Sequence, residues 1–234
     1  MAQVFKRYEL KYLFTSKQVN DFLNVLNNYT KPDIYHKSSI RNIYYDTPTF
    51  LLIRKSIEKP EYKEKLRVRT YQTIDNDQEV FVELKKKYKS VVYKRRVTLP
   101  YSKAISFLNK EDINESSQVI NEIKYVLDFY DDLHPMIFLS YERESYVGLE
   151  DSNFRITFDK NIIWRDYDVD LTKDIYGENI LNDDLVLVEI KTNTGYPKWL
   201  VDFLSENKIY KTSFSKYGNV YARIVNSKGE RKYA

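Results

Sequence analysis

Residues 64–99 constrain this chain more than any other stretch, because charged residues recur there at every second position on segments that otherwise read as β-strand. In Lys65-Leu66-Arg67-Val68-Arg69-Thr70-Tyr71 the two-residue period of a strand puts Lys65, Arg67, Arg69 and Tyr71 on one face, with Leu66 and Val68 on the other. Residues 79–85 repeat the device, setting Glu79, Phe81, Glu83 and Lys85 against Val80, Val82 and Leu84, and residues 92–98 put Lys94 beside Arg96. A solvated sheet face explains one such strand. The pattern recurs far away, however, in Arg7, Glu9 and Lys11, in Tyr141 and Arg143, in Arg155, Thr157 and Asp159, and in Glu189 and Lys191. That recurrence points to a cavity lined with charge.

Length and composition bound the answer. A chain of 234 residues with 42% hydrophobic and 15% aromatic content can bury a sizeable core, and one domain over residues 1–234 is expected. Thirty-eight Lys and Arg against 34 Asp and Glu leave a net charge of +4, too small to hold nucleic acid by bulk charge. The absence of cysteine removes disulfides, thiolate zinc sites and cysteine nucleophiles, and His36 and His134 are too few for a histidine metal cluster. Hard oxygen ligands remain. No apolar signal core follows Met1, and no run of about eighteen apolar residues occurs, so a cytoplasmic protein without a membrane segment is expected.

Strands are predicted over residues 5–14, 39–45, 136–146, 154–159 and 185–192 in addition to the three charged ones. Thr15 or Ser16 should cap a helix through Val19, Phe22, Leu23 and Leu26, with Lys31-Pro32-Asp33 breaking it. A short helix is predicted over 49–54. Ser102 should cap a further helical region whose apolar face runs through Val119, Ile120, Ile123, Val126 and Leu127, with Pro135 marking its end. Pro197 opens another helix through Trp199, Leu200, Phe203 and Leu204, and a last amphipathic segment covers 220–225. About eight strands is the number at which a closed antiparallel barrel has room inside for side chains or one slim ligand. The predicted class is therefore α+β, an antiparallel eight-stranded barrel with a charged interior and helices outside covering Leu66, Val68, Val80, Val82 and Leu84. Cations around a narrow bore repel one another unless an anion fills it, so the implied ligand is elongated and polyanionic. Nucleic acid is not expected, since bases need stacking platforms that such a bore lacks.

These residues resemble the triphosphate tunnel fold, and more closely its VTC branch, the polyphosphate polymerases. Arg7-Tyr8-Glu9-Leu10-Lys11-Tyr12 resembles the branch's opening strand, Tyr44-Tyr45-Asp46-Thr47 the end of its second, Leu66-Arg67-Val68-Arg69 its paired-arginine strand and Val82-Glu83-Leu84-Lys85 its acidic-basic strand. Tyr141-Glu142-Arg143, Val188-Glu189-Ile190-Lys191 and Phe214-Ser215-Lys216-Tyr217 follow in order. One departure is that Lys211 stands further from the Ser-Lys-aromatic element than the branch usually places its lysine, with Ser213 nearest.

The resemblance implies transfer of the terminal phosphoryl of a nucleoside triphosphate, ATP first, to a growing polyphosphate chain with Mn2+ or Mg2+. It assigns Lys11, Arg67, Arg69, Lys85, Lys94, Arg143 and Lys216 as catalytic phosphate ligands, and Arg7, Arg96, Tyr141 and Lys191 as further substrate contacts. Glu189 is the first metal carboxylate, with Glu9 and Glu83 in support; in-strand salt bridges to Lys11 and Lys85 are the alternative for the last two. Asp159 reads as a capping or salt-bridging residue. Two other functions stay open. A hydrolase of the related CYTH branch would share the tunnel, although that branch opens with Glu-x-Glu-x-Lys where this chain has Arg7. A non-catalytic module would bind polyphosphate alone. Any membrane partner, regulatory module or export route lies outside what this sequence specifies.

Overall fold

The structure is a computed structural model, and it describes residues 8–89 and 91–230, excluding the side chains of residues 228–230. Arg7 lies outside the described residues. Among the described residues are ten strands: β1 (Tyr8–Thr15), β2 (Thr30–Asp46), β3 (Tyr62–Thr70), β4 (Glu79–Tyr88), β5 (Val91–Pro100), β6 (His134–Gly148), β7 (Arg155–Arg165), β8 (Glu178–Asn179), β9 (Leu185–Thr192) and β10 (Lys211–Thr212). The same residues form six helices: α1 (Ser16–Leu26), α2 (Leu51–Glu58), α3 (Tyr101–Leu108), α4 (Gln118–Phe129), α5 (Lys198–Glu206) and α6 (Lys216–Glu230). Every strand pair of described register is antiparallel, so the α+β class holds.

The eight long strands are those the sequence predicts, and the two-residue β8 and β10 are additions. Closure differs. Among the described residues the hydrogen-bonded order is β10-β1-β9-β7-β6-β2-β3-β4-β5, with β8 on β7, and that path has two ends. No helix of the described residues is long and apolar enough to cross a membrane. By its contacts the chain divides into two compact units, unit 1 from residues 1–39, 141–162 and 181–215, and unit 2 from 40–140, 163–180 and 216–234.

Unit 1 is built on β10-β1-β9-β7. Alternation sends Tyr12, Phe14, Ile156, Phe158, Val186, Val188 and Ile190 to one face, where they pack with Phe22 and Leu26 of α1 and Leu200, Phe203 and Leu204 of α5. Burying each such side chain contributes about 1.5–3 kcal/mol, and Phe14, Phe22 and Leu200 are wholly enclosed. Thr15 caps α1 as predicted, in a reciprocal capping box with Gln18. The expected break at Lys31-Pro32-Asp33 falls later than the true one: α1 stops at Leu26, and those residues already lie in β2, near the strand start where proline is tolerated.

Unit 2 contains the charged strands of residues 64–99. Leu66, Val68, Val80, Val82, Leu84 and Leu99 pack against Ala104, Phe107 and Leu108 of α3 and Ile120, Ile123, Val126 and Leu127 of α4, so the expected helical cover is in place. The single helical region expected after Ser102 is two helices. Tyr101, directly after Pro100, begins α3 without a side-chain cap, and Ser117 caps α4 by accepting from the Ile120 amide. Pro135 is the second residue of β6, well past the end of α4 at Phe129. The last helix starts earlier than the apolar pattern suggests, at Lys216, because Tyr217 and Val220 already face the core.

Candidate functional site

Each unit presents one charged sheet face, and the two differ in make-up. In unit 2 the register sets Tyr44 opposite Arg67, Arg67 opposite Glu83 and Glu83 opposite Arg96, a row across four strands. Glu83 is the hub. Its carboxylate accepts from Arg67 Nε at 2.7 Å, pairs with Arg67 Nη2 at 2.6 Å, accepts from Arg96 Nε at 2.8 Å and lies 3.9 Å from Arg69. Burial pushes this carboxyl up, but Arg67, Arg69 and Arg96 overcome it and bring it down to about 2.

Either side of that row the cations continue. Arg69 lies opposite Asn42 and donates to its Oδ1 at 2.8 Å, while the Asn42 amide donates to the Leu139 carbonyl at 2.9 Å. Lys65, Lys85 and Lys94 lie directly opposite one another across β3, β4 and β5, and Lys63 opposite Lys87 follows. Like charges placed so are destabilising in isolation. Burial and then Lys87, Lys59 and Lys85 hold Lys63 below the ordinary lysine value. Tyr44 reports the same field. Burial would raise its hydroxyl, yet Arg67, Lys65 and Arg69 together with a 3.1 Å hydrogen bond from Arg67 bring it down to about 8.

Tyr44 is held from behind. Its ring stacks on Tyr217 with centroids 4.6 Å apart, and Tyr217 donates to Asp46 Oδ2 at 2.9 Å. Asp46 is wholly buried and also accepts from the amides of Thr47 and Leu52 at 2.8 Å and Ile53 at 3.0 Å, tying the start of α2 to the end of β2. Lys216 opens α6 next to Tyr217 and is itself buried.

The face of unit 1 is centred on a carboxylate. Glu189 stands opposite Lys11 on β1 and Thr157 on β7, with 7% of its side chain exposed. Lys11 Nζ is 3.1 Å from Glu189 Oε1 and donates to the Phe214 carbonyl at 3.0 Å. Arg143 Nη2 and Lys191 Nζ both lie 3.5 Å from Glu189 Oε2. Arg143 spends its fork on Asp159, at 2.6 and 2.7 Å, and its guanidinium lies 5.2 Å from the Tyr141 ring centroid. Burial works against the Arg143 charge, and Tyr141, Asp159 and Glu189 more than offset it, leaving the group well above the ordinary arginine value. Asp159 is thus a salt-bridging residue, one of the two roles its sequence suggested.

The structure therefore gathers Glu9, Lys11, Tyr141, Arg143, Glu189 and Lys191 in unit 1, and Arg67, Arg69, Glu83, Lys85, Lys94, Arg96 and Lys216 in unit 2. Glu9 and Glu83 do form ion pairs, but across strands: Glu9 lies 4.0 Å from Lys191, and Glu83 takes Arg67 and Arg96 in place of Lys85. Directly opposed residues sit closer than second neighbours along one strand, and that decides the pairing. The sequence reading left Asn42, Tyr44, Lys63 and Lys87 without roles. Strand alternation from Arg67 and Lys85 reaches the two lysines, whereas Asn42 and Tyr44 needed the β2 register.

Among the described residues no three His, Asp or Glu side chains cluster to hold a metal ion by themselves. A small hard cation bound together with substrate phosphates needs only one or two carboxylates, and buried Glu189, with the more exposed Glu9 two register positions along on β1, is of that chemistry. Glu83, clasped by arginines and held at about 2, is suited to orienting cations.

The family model described as the VTC domain matches residues 6–225. The chain matches none of the curated proteins. A crystal structure of a candidate adenylate cyclase from Bacillus halodurans is similar at 14% identity, with a TM-score of 0.53 over 88% of this chain and 92% of that one. A candidate adenylate cyclase from Vibrio parahaemolyticus is similar at 13% identity and a TM-score of 0.49, over 94% and 99% of the two chains.

Proposed function

Because this chain belongs to the VTC domain family and its motifs resemble those of the triphosphate tunnel proteins, we propose that it is a polyphosphate polymerase. It transfers the terminal phosphoryl of a nucleoside triphosphate, ATP first, to the end of a polyphosphate chain. One P–O bond forms at the chain terminus, the P–O bond to the nucleoside diphosphate breaks, and no water is consumed. The observation that carries this reading is the row of cations on the face of unit 2, Arg67, Arg69 and Arg96 around Glu83 with Lys65, Lys85 and Lys94 directly opposed, whose field brings Tyr44 down to about 8 and Glu83 to about 2 and lowers Tyr71. For Tyr71, burial is again overcome, here by Arg69 and Arg96.

Phosphoryl transfer asks for positioning and charge neutralisation more than for covalent help. Arg67, Arg69 and Arg96 supply planar donor forks already oriented by Glu83, Asn42 and Tyr71, so little freedom is lost when they grip phosphate oxygens. Lys65, Lys85 and Lys94 add compact charge along the row. In unit 1, Lys11, Arg143 and Lys191 are the phosphate contacts, and Glu189 with Glu9 would hold Mn2+ or Mg2+, which supplies charge neutralisation on the phosphate oxygens when bound.

Incubation with ATP and Mn2+ or Mg2+, followed by gel analysis of phosphate chain length, tests this. Long chains with matching ADP are expected. Free phosphate without chains identifies a triphosphate hydrolase in its place, and tight polyphosphate binding without nucleotide consumption identifies a binding module.

A further inference from the structure

Thr157 occupies the central position of the unit 1 face without a role in anything described so far. It lies on β7 directly opposite Glu189, between Arg155 and Asp159 on its own strand face. The residue is 7% exposed, and its hydroxyl is buried with no hydrogen-bond partner among the described residues. Buried hydroxyls without partners are rare and costly, so each one calls for an explanation. The neighbours explain why no protein group meets it. Asp159 is taken by the Arg143 fork, and the two Glu189 oxygens face Lys11 on one side and Arg143 and Lys191 on the other. The lysines and arginine around it can serve only its lone pairs, so the hydroxyl's own proton still calls for an acceptor, which an anion held by those cations would supply.

We propose that the Thr157 hydroxyl is a phosphate contact, donating its proton to a phosphoryl oxygen held by Lys11, Arg143 and Lys191. The inference rests on the phosphate-binding reading above and adds to it a neutral, directional donor at the centre of a charged face. Lysine and arginine attract any anion, whereas a fixed hydroxyl favours one that places an oxygen at that point, as a tetrahedral phosphoryl group held by the surrounding cations would. The phosphoryl oxygen can belong to a nucleotide or to a polyphosphate chain, and the two sources are separated by probing each.

The test is titration calorimetry of the intact chain with tripolyphosphate and, separately, with ATP, both in chelator, on wild type, Thr157→Val and Thr157→Ser. Thr157→Val keeps the shape and removes the donor, and its binding should weaken roughly five- to tenfold; Thr157→Ser should stay within about twofold of wild type. Weakening with tripolyphosphate alone assigns the contact to the chain, and with ATP alone to the nucleotide. Without ligand, Thr157→Val should melt at or above the wild-type temperature, since it removes an unsatisfied buried group. Equal affinities in all three proteins would overturn the proposal and leave the hydroxyl a water site. Wild type that binds neither probe would overturn the phosphate reading itself, a distinguishable result.

Discussion

The two charged faces handle charge in opposite ways. On unit 1 the cations Lys11, Arg143 and Lys191 converge on Glu189, and Asp159 takes the Arg143 fork, so carboxylates and cations interleave. On unit 2 the positions of β3, β4 and β5 that share a face hold Lys63, Lys65, Arg67, Arg69, Lys85, Lys87, Lys94 and Arg96 against Glu79 and Glu83. A face with interleaved charges can place a metal ion or orient a reacting group. A face dominated by cations is suited to holding an anion. The difference teaches that grip and chemistry can be carried by different strands of one chain, and it can be broken apart by mutation.

The largest effect should come from unit 2. Arg67→Ala and Arg69→Ala each remove an oriented guanidinium whose side chain is only 26% and 10% exposed, and each should weaken tripolyphosphate binding by about 2–5 kcal/mol while circular dichroism stays unchanged. Affinity unchanged in both would mean that this face does not touch the anion. Acid unfolding sharpens the same contrast. Glu83 is held at about 2 against an ordinary 4.5, so its ion pairs stabilise the fold at neutral pH, and that contribution fades as pH falls from about 5 to about 2. Its size is on the order of 3 kcal/mol. Glu83→Gln should therefore melt lower at pH 7 and lose less stability than wild type between pH 5 and pH 2.

A smaller effect belongs to Tyr44. Its hydroxyl titrates at about 8 instead of 10, so ionisation should stabilise the unliganded fold as pH rises through that range. The same ionisation puts a negative charge beside Arg67, and tripolyphosphate affinity should drop by about fivefold or less. Absorbance at 295 nm should show one tyrosine ionising near pH 8, lost in Tyr44→Phe along with the affinity step.

How far the sequence led follows from the same contrast. The cations of the unit 2 face come from one contiguous stretch, where alternation in β3, β4 and β5 shows which residues share a side, and those three strands and the helical cover over Leu66, Val68 and Val82 were legible in the sequence. The face of unit 1 draws on β1, β6, β7 and β9, which are far apart in the chain, so each strand's alternation was visible but not who pairs with whom. The Arg143 fork on Asp159, the cross-strand partners of Glu9 and the buried hydroxyl of Thr157 depend on register, and one sequence does not specify register between distant strands. Helix starts misjudged at Ser102 and Lys216 have a local cause: Pro100 sets the chain direction before α3, and Tyr217 is drawn into the first turn of α6 by Asp46.

Glu189→Gln tests the division of labour most directly, because it keeps the side chain's shape and removes its charge from the centre of the unit 1 face. Tripolyphosphate binding in chelator and chain synthesis from ATP with Mn2+ should be measured on one preparation of the variant and of wild type. The predicted result is a folded protein that binds tripolyphosphate as tightly as wild type or more so, since an anion has left the face, and that makes no phosphate chains. Continued chain synthesis, or binding and synthesis lost together in a protein that melts well below wild type, would contradict it and make Glu189 an ion-pair residue of the fold.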